Sequence, residues 1–155
     1  MMDWKICLNK QFAKAIKIDT SLITSLLRTS ANKLKTQELL VMNEHTAVSK
    51  VSLTYDALRE LLEALAITKG YKIYNHECYT AFLKEILKES TLGDTFDTYR
   101  KLRNNLNYYG KEITLEEAEK SIKDMKELRE TLQTTYVAPK PEEKKTGKHT
   151  SPTTS

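Results

Sequence analysis

Apolar residues recur at helical spacing along most of the chain from Asp3 to Leu132. The pattern is cleanest at Val51, Tyr55, Leu58, Leu62 and Leu65, which alternate four and three apart, the seam of a helix packed into a bundle. Further stripes run through Ile23, Leu27, Leu34 and Val41; through Tyr79, Phe82, Ile86 and Leu87; through Phe96, Tyr99, Leu102 and Leu106; and through Ala118, Ile122, Met125, Leu128 and Leu132. Polar residues able to cap a helix precede these stripes: Asp19 or Thr20, Asn75, Asp94, and a Thr114/Glu117 capping box. Gly70 and Gly110 are placed to close two of the helices, and Gly93-Asp94 to separate two others. The segment DWKICLNKQFAKAI, opened by Asp3, predicts a short amphipathic N-terminal helix. Short connections favour antiparallel neighbours, so the expected fold is all-α: an up-and-down four-helix bundle with an additional short N-terminal helix, over residues 1–136. Residues 137–155 lose the periodicity and read as a disordered polar tail.

Composition sharpens this picture. From Met1 to Tyr136 there is no proline, and Leu, Lys, Glu and Ala dominate, as expected for helices. The net charge is +4, and the tail, with four lysines and two glutamates, carries half of it. The body is therefore too balanced to bind nucleic acid by bulk charge, and any basic site must be local. No apolar run reaches the roughly 18–20 residues of a membrane span, and the N-terminus lacks the apolar core of a signal peptide, so a cytoplasmic protein is expected. Cys7 and Cys78 form no CxxC pair and read as buried or idle thiols of a reducing compartment.

Common enzyme signatures are missing. Neither GxxxxGK[ST], GxGxxG nor GxSxG occurs, and His76-Glu77 fails as a zincin start because Thr80 stands where a second histidine is needed. His45, His76, Cys7 and Cys78 lack metal-site spacing, so neither a metal nor a cofactor is expected.

The stretch RKLRNNLNYYGK, residues 100–111, stands apart. On a helical wheel with Arg103 at zero, Asn107 falls at ~40°, Arg100 at ~60°, Asn104 at ~100° and Tyr108 at ~140°. Tyr99, Leu102, Leu106 and Tyr109 occupy the other side. Where other exposed faces use Lys and Glu, this strip offers two guanidiniums, two amides and a phenol. Arginine's planar five-donor fork suits phosphate, and amides supply paired donors and acceptors. Connectivity brings Tyr71, Tyr74, Asn75, His76 and Glu77 to the same end of the bundle as Arg103 and Tyr108.

These residues resemble the HEPN family of all-α domains. The likeness spans most of residues 3–136, through YDALRELLEALAITKGYKIYNHECYTAFLKEIL and YRKLRNNLNYYGK. The resemblance implies a four- or five-helix bundle that dimerises through its signature face. Many members are metal-independent RNases, often toxins paired with a minimal nucleotidyltransferase, and others are non-catalytic binding domains. The family signature is Arg, usually a polar residue, then His after four to six positions. Arg103-Asn104 match its start, but Tyr108 stands where the His is due, and neither Arg103 nor Arg100 finds a His in any register. A phenol ordinarily titrates near ~10 and makes a poor base, whereas imidazole titrates near ~6.5. The implied function is a homodimeric domain with a degenerate motif that binds RNA, a nucleotide or a partner such as a nucleotidyltransferase. Arg100, Arg103, Asn104, Asn107 and Tyr108 would bind. The alternatives are a weak toxin-type endoribonuclease using Arg103 with Tyr108, or with His76 as substitute, and a non-catalytic dimeric scaffold.

Overall fold

The computed structural model describes residues 2–137. They form α1 (Trp4–Asn9), β1 (Ala13–Ala15), α2 (Thr20–Leu39), α3 (Ala47–Thr68), β2 (Tyr71–Ile73), α4 (Glu77–Ala81), α5 (Ser90–Tyr108) and α6 (Leu115–Tyr136). A π-helical turn, Phe82–Ile86, extends α4. The fold is mostly helical, as expected. The expected polar tail lies outside the described residues, apart from Val137.

The central element is α3. All five positions of its expected seam are buried, and Ala57, Leu61, Ala64, Ala66 and Ile67 bury its other sides as well. A helix apolar around most of its girth has to be surrounded, and α2, α5, α6 and β2 all pack on it. The Ser30 hydroxyl on α2 donates to the carbonyl of Ala57, and the buried Lys50 ammonium donates to the carbonyl of Gln37. Those two contacts make α2 and α3 antiparallel. Lys50 also donates to Leu40 O at 2.6 Å, so a lysine of the next helix satisfies the last carbonyls of α2. That helix ends at Leu39, and Val41, expected on its buried face, is 75% exposed.

Several expected caps hold. Asp3 accepts from Ile6 N, Asp19 from Leu22 N, and Thr114 and Glu117 form the reciprocal capping box. Gly70 follows α3 with φ +89°, and Gly110 follows α5 with φ +67°, the left-handed region that glycine enters without strain. The expected cap at Asn75 is shifted by one residue: His76 stands at the N-cap of α4 without a side-chain bond, and Asn75 before it accepts from Glu77 N.

Two local expectations are corrected. The N-terminal helix stops at Asn9 and Gln11 turns left-handed (φ 62°). Residues 13–15 then pair antiparallel with β2, Ala13 opposite Ile73 and Ala15 opposite Tyr71. Tertiary pairing here overrides the helix propensity of an Ala-Lys-rich segment. Gly93-Asp94 does not divide two helices either, because α5 begins at Ser90 and runs through both residues. Gly93 is there for closeness: a Cβ would lie 2.6 Å from Lys84 Cγ on the π-helical turn beneath it.

The cysteines are also corrected. Cys7 and Cys78 are fully buried, but they are joined in a disulfide that ties α1 to α4. Around it, Trp4 packs its ring on Tyr71 and Phe82, and the amides of Met2 and Trp4 donate to Glu77 and Glu85.

Candidate functional site: an arginine cleft between the start of α4 and the end of α5

After α3 ends, β2 turns back along it, with the Lys72 ammonium bonding Glu63. The chain therefore reaches His76 beside Tyr55, in the first half of α3, before α4 begins. There the last turns of α5 meet it. Tyr74, Asn75, His76, Glu77, Arg100, Arg103, Asn104 and Tyr108 line one open cleft of about 440 Å³. The grouping expected from connectivity is thus present, although the route differs. The returning ribbon strand, and not a shared bundle end, carries His76 to Arg103. Tyr71 is not part of the cleft and packs against Trp4.

Arg103 lies over the Tyr55 ring, with its guanidinium carbon 5.3 Å from the centroid and 5.7 Å from that of Tyr108. Its Nη1 donates to the Tyr108 hydroxyl at 3.4 Å, and Asp56 on α3 lies 3.6 Å from Nη2. Its Nε is buried with no hydrogen-bond partner among the described residues. Such a guanidinium is held in place by aromatic faces with only part of its donor capacity used.

Arg100 is differently placed. Its Nε and Nη2 both donate to Asp97 Oδ1, at 3.0 and 2.8 Å. Asp97 also receives the Thr80 hydroxyl at 3.1 Å and pairs with Lys101 at 3.1 Å. Burial pushes the Asp97 carboxyl up, but the bonds from Arg100, Lys101 and Thr80 outweigh it and hold the group below the usual carboxylate range. Arg100 is therefore committed to a salt bridge inside the fold.

His76 Nδ1 is 3.1 Å from the Tyr55 hydroxyl. Tyr55 is fully buried, and that burial keeps its phenol protonated well above 10. Nδ1 is the one hydrogen-bond partner of the Tyr55 hydroxyl among the described residues, and with Tyr55 assigned as the donor the imidazole proton lies on Nε2. Burial lowers the His76 pKa to about 4, helped by the positive charges of Arg59, Arg103 and Arg100. At neutral pH, His76 is thus an uncharged Nε2–H donor and a weak base. Arg59 itself is bound to Glu63 at 2.9 Å, next to the buried Tyr79.

Asn104 and Tyr108 line the cleft as expected, and Tyr108 is 68% exposed. Asn107 lies apart from it, accepting the Ser52 hydroxyl of α3 at 3.1 Å. Sequence reasoning missed Tyr55, Asp56 and Asp97. Tyr55 was legible only as a seam residue, since nothing in its spacing distinguishes a core ring from a platform under an arginine. Asp97 had a usable signal, three residues before Arg100 and so a neighbour on the helix. Among the described residues, no group of three or more His, Cys, Asp or Glu is placed to hold a metal ion, and no helix is long and apolar enough to cross a membrane. Comparison with protein-family models, with curated proteins and with solved structures yields no match for this chain.

Proposed function

We propose that this is a HEPN-like domain with a degenerate motif, an up-and-down four-helix bundle in outline, that binds a phosphate-bearing ligand, RNA or a nucleotide, in the Arg103 cleft. The observation that carries this reading is Arg103 itself. It is fixed on an aromatic ring, lines an open cleft, and its terminal nitrogens are held only by a 3.4 Å bond to Tyr108 and a 3.6 Å salt bridge to Asp56. A phosphate offers acceptor oxygens in the geometry that a guanidinium matches best. Asn104, Asn75 and His76 Nε2–H would supply uncharged donors around it. A homodimer formed through this face, a nucleotidyltransferase partner and a cytoplasmic setting complete the reading.

Fluorescence anisotropy with a labelled 12-nucleotide oligouridylate tests the reading. Arg103→Ala is expected to weaken binding about tenfold or more, the loss of a charge-assisted hydrogen bond. Asn107→Ala, away from the cleft, is expected to leave it unchanged. Equal affinity of the parent and Arg103→Ala would overturn the assignment.

A second reading, weak metal-independent RNA cleavage, draws on the presence of His76 in the same cleft as Arg103. Its low pKa argues against efficient proton transfer, which works best with groups titrating near the working pH. On this reading, cleavage of the oligouridylate in chelator must disappear in both Arg103→Ala and His76→Gln.

A further inference from the structure

The charge around the cleft limits what can bind there. Of its two arginines, Arg100 is taken up by Asp97, which also holds Lys101. Asp56 lies at the edge of Arg103, and the Glu77 carboxylate belongs to the lining. One guanidinium, held only by a 3.6 Å salt bridge to Asp56 and a 3.4 Å bond to Tyr108, is thus left to receive a phosphate, among carboxylates that would repel a second. A tract of backbone phosphates needs a run of uncompensated cations, and this cleft has none.

The aromatic residues point to what else the ligand carries. Tyr55, Tyr79 and Tyr99 are buried, yet Tyr74, Tyr108 and Tyr109 are 59%, 68% and 80% exposed. These are the only aromatics among the exposed large hydrophobic residues described, and the first two line this cleft. A cation lies by each of those two rings, Lys14 at 5.6 Å from Tyr74 and Arg103 at 5.7 Å from Tyr108. Exposed rings beside a phosphate-binding cation are the arrangement on which unpaired bases stack, because every base offers a π face.

Resting on the phosphate reading above, we propose that the cleft takes one nucleotide unit, with its phosphate on Arg103 and its base stacked on Tyr108. Tyr74 also lines the cleft. The ligand class is a 5′-mononucleotide or a single nucleotide of a flexible RNA strand. The Asn104 amide and His76 Nε2–H can address base or ribose edges without adding charge.

Calorimetric titration of the full chain with AMP and with ribose 5-phosphate, which has the phosphate and lacks the base, tests the proposal. AMP is expected to bind at least about fivefold more tightly. Tyr108→Leu should remove that difference, Tyr108→Phe, which keeps the ring, should preserve it, and Arg103→Ala should weaken both. Oligouridylate affinity should fall with salt at a logarithmic slope of roughly −0.7, the value for one phosphate. Equal affinities for the two ligands, with both still dependent on Arg103, would overturn the stacking proposal and leave the phosphate reading standing. Ligand binding that ignores Arg103→Ala, or no binding of AMP at millimolar concentration, would overturn both. A salt slope of about −3 or steeper would mean a backbone tract and contradict the single unit. If Tyr108→Leu instead dissociates a dimer without changing AMP affinity, the ring is a subunit contact and the proposal fails.

Discussion

Replacing both cysteines, as Cys7→Ala with Cys78→Ala, is expected to cost roughly 4 kcal/mol of stability. The bond joins positions 71 apart in sequence, so the loop it closes holds β1, α2, α3 and β2. Chain-entropy arguments give long loops the largest effect, because the cross-link removes more freedom from the unfolded chain. Here the native side reinforces that effect. The bond pins α1, a helix of only six residues that could not persist alone, against α4. For a domain of this size, the thermal midpoint should fall by more than about 10 °C. The parent protein should show no free thiol when denatured without reductant, and two after reduction. An unchanged midpoint in the double variant, or two reactive thiols in the unreduced parent, would remove the disulfide from the account.

Phe96→Ala is the second large effect, expected at about 3–5 kcal/mol by denaturant unfolding. Phe96 is fully buried on α5, stacked 5.6 Å from Tyr55 and packed edge-on at 6.1 Å from Tyr79. Its ring supports the platform from below: Tyr55 carries Arg103 on its face and holds His76 by its hydroxyl. The cavity left by the truncation would therefore open under the site as well as in the core. Ligand affinity should fall along with stability, although Phe96 is not among the residues lining the cleft. A loss below about 1 kcal/mol would mean that the aromatic layer between α3, α4 and α5 is not packed as described.

The helices and the cleft were legible in the sequence to different degrees. The α3 seam, the α6 capping box and the closing glycines followed from periodicity and local backbone chemistry, which act within a few residues. The β1–β2 pairing and the Cys7–Cys78 bond depend on contacts across more than fifty residues, and the three-residue strand Ala-Lys-Ala carries no periodic signal. Gly93 was misread because a glycine needed for close approach looks the same in sequence as one that ends a helix. At the site, connectivity and composition bring together Arg103, His76, Asn104 and Tyr108, and one cleft contains all four. What spacing could not tell was which arginine is committed. Asp97 takes Arg100 out of play, and Ser52 holds Asn107 away.

The central claim, that a phosphate enters this cleft beside Arg103, is tested most directly by the titration of the His76 imidazole. Nitrogen-15 NMR can follow it, with the resonance assigned by its loss in His76→Gln. In the free protein the midpoint should lie at about 4, lowered by burial and then by the nearby arginines. A bound phosphate offsets the field of Arg103 and favours the imidazolium, so saturating AMP should move the midpoint upward. A midpoint that stays at about 4 while AMP is bound would place the ligand elsewhere and contradict the account.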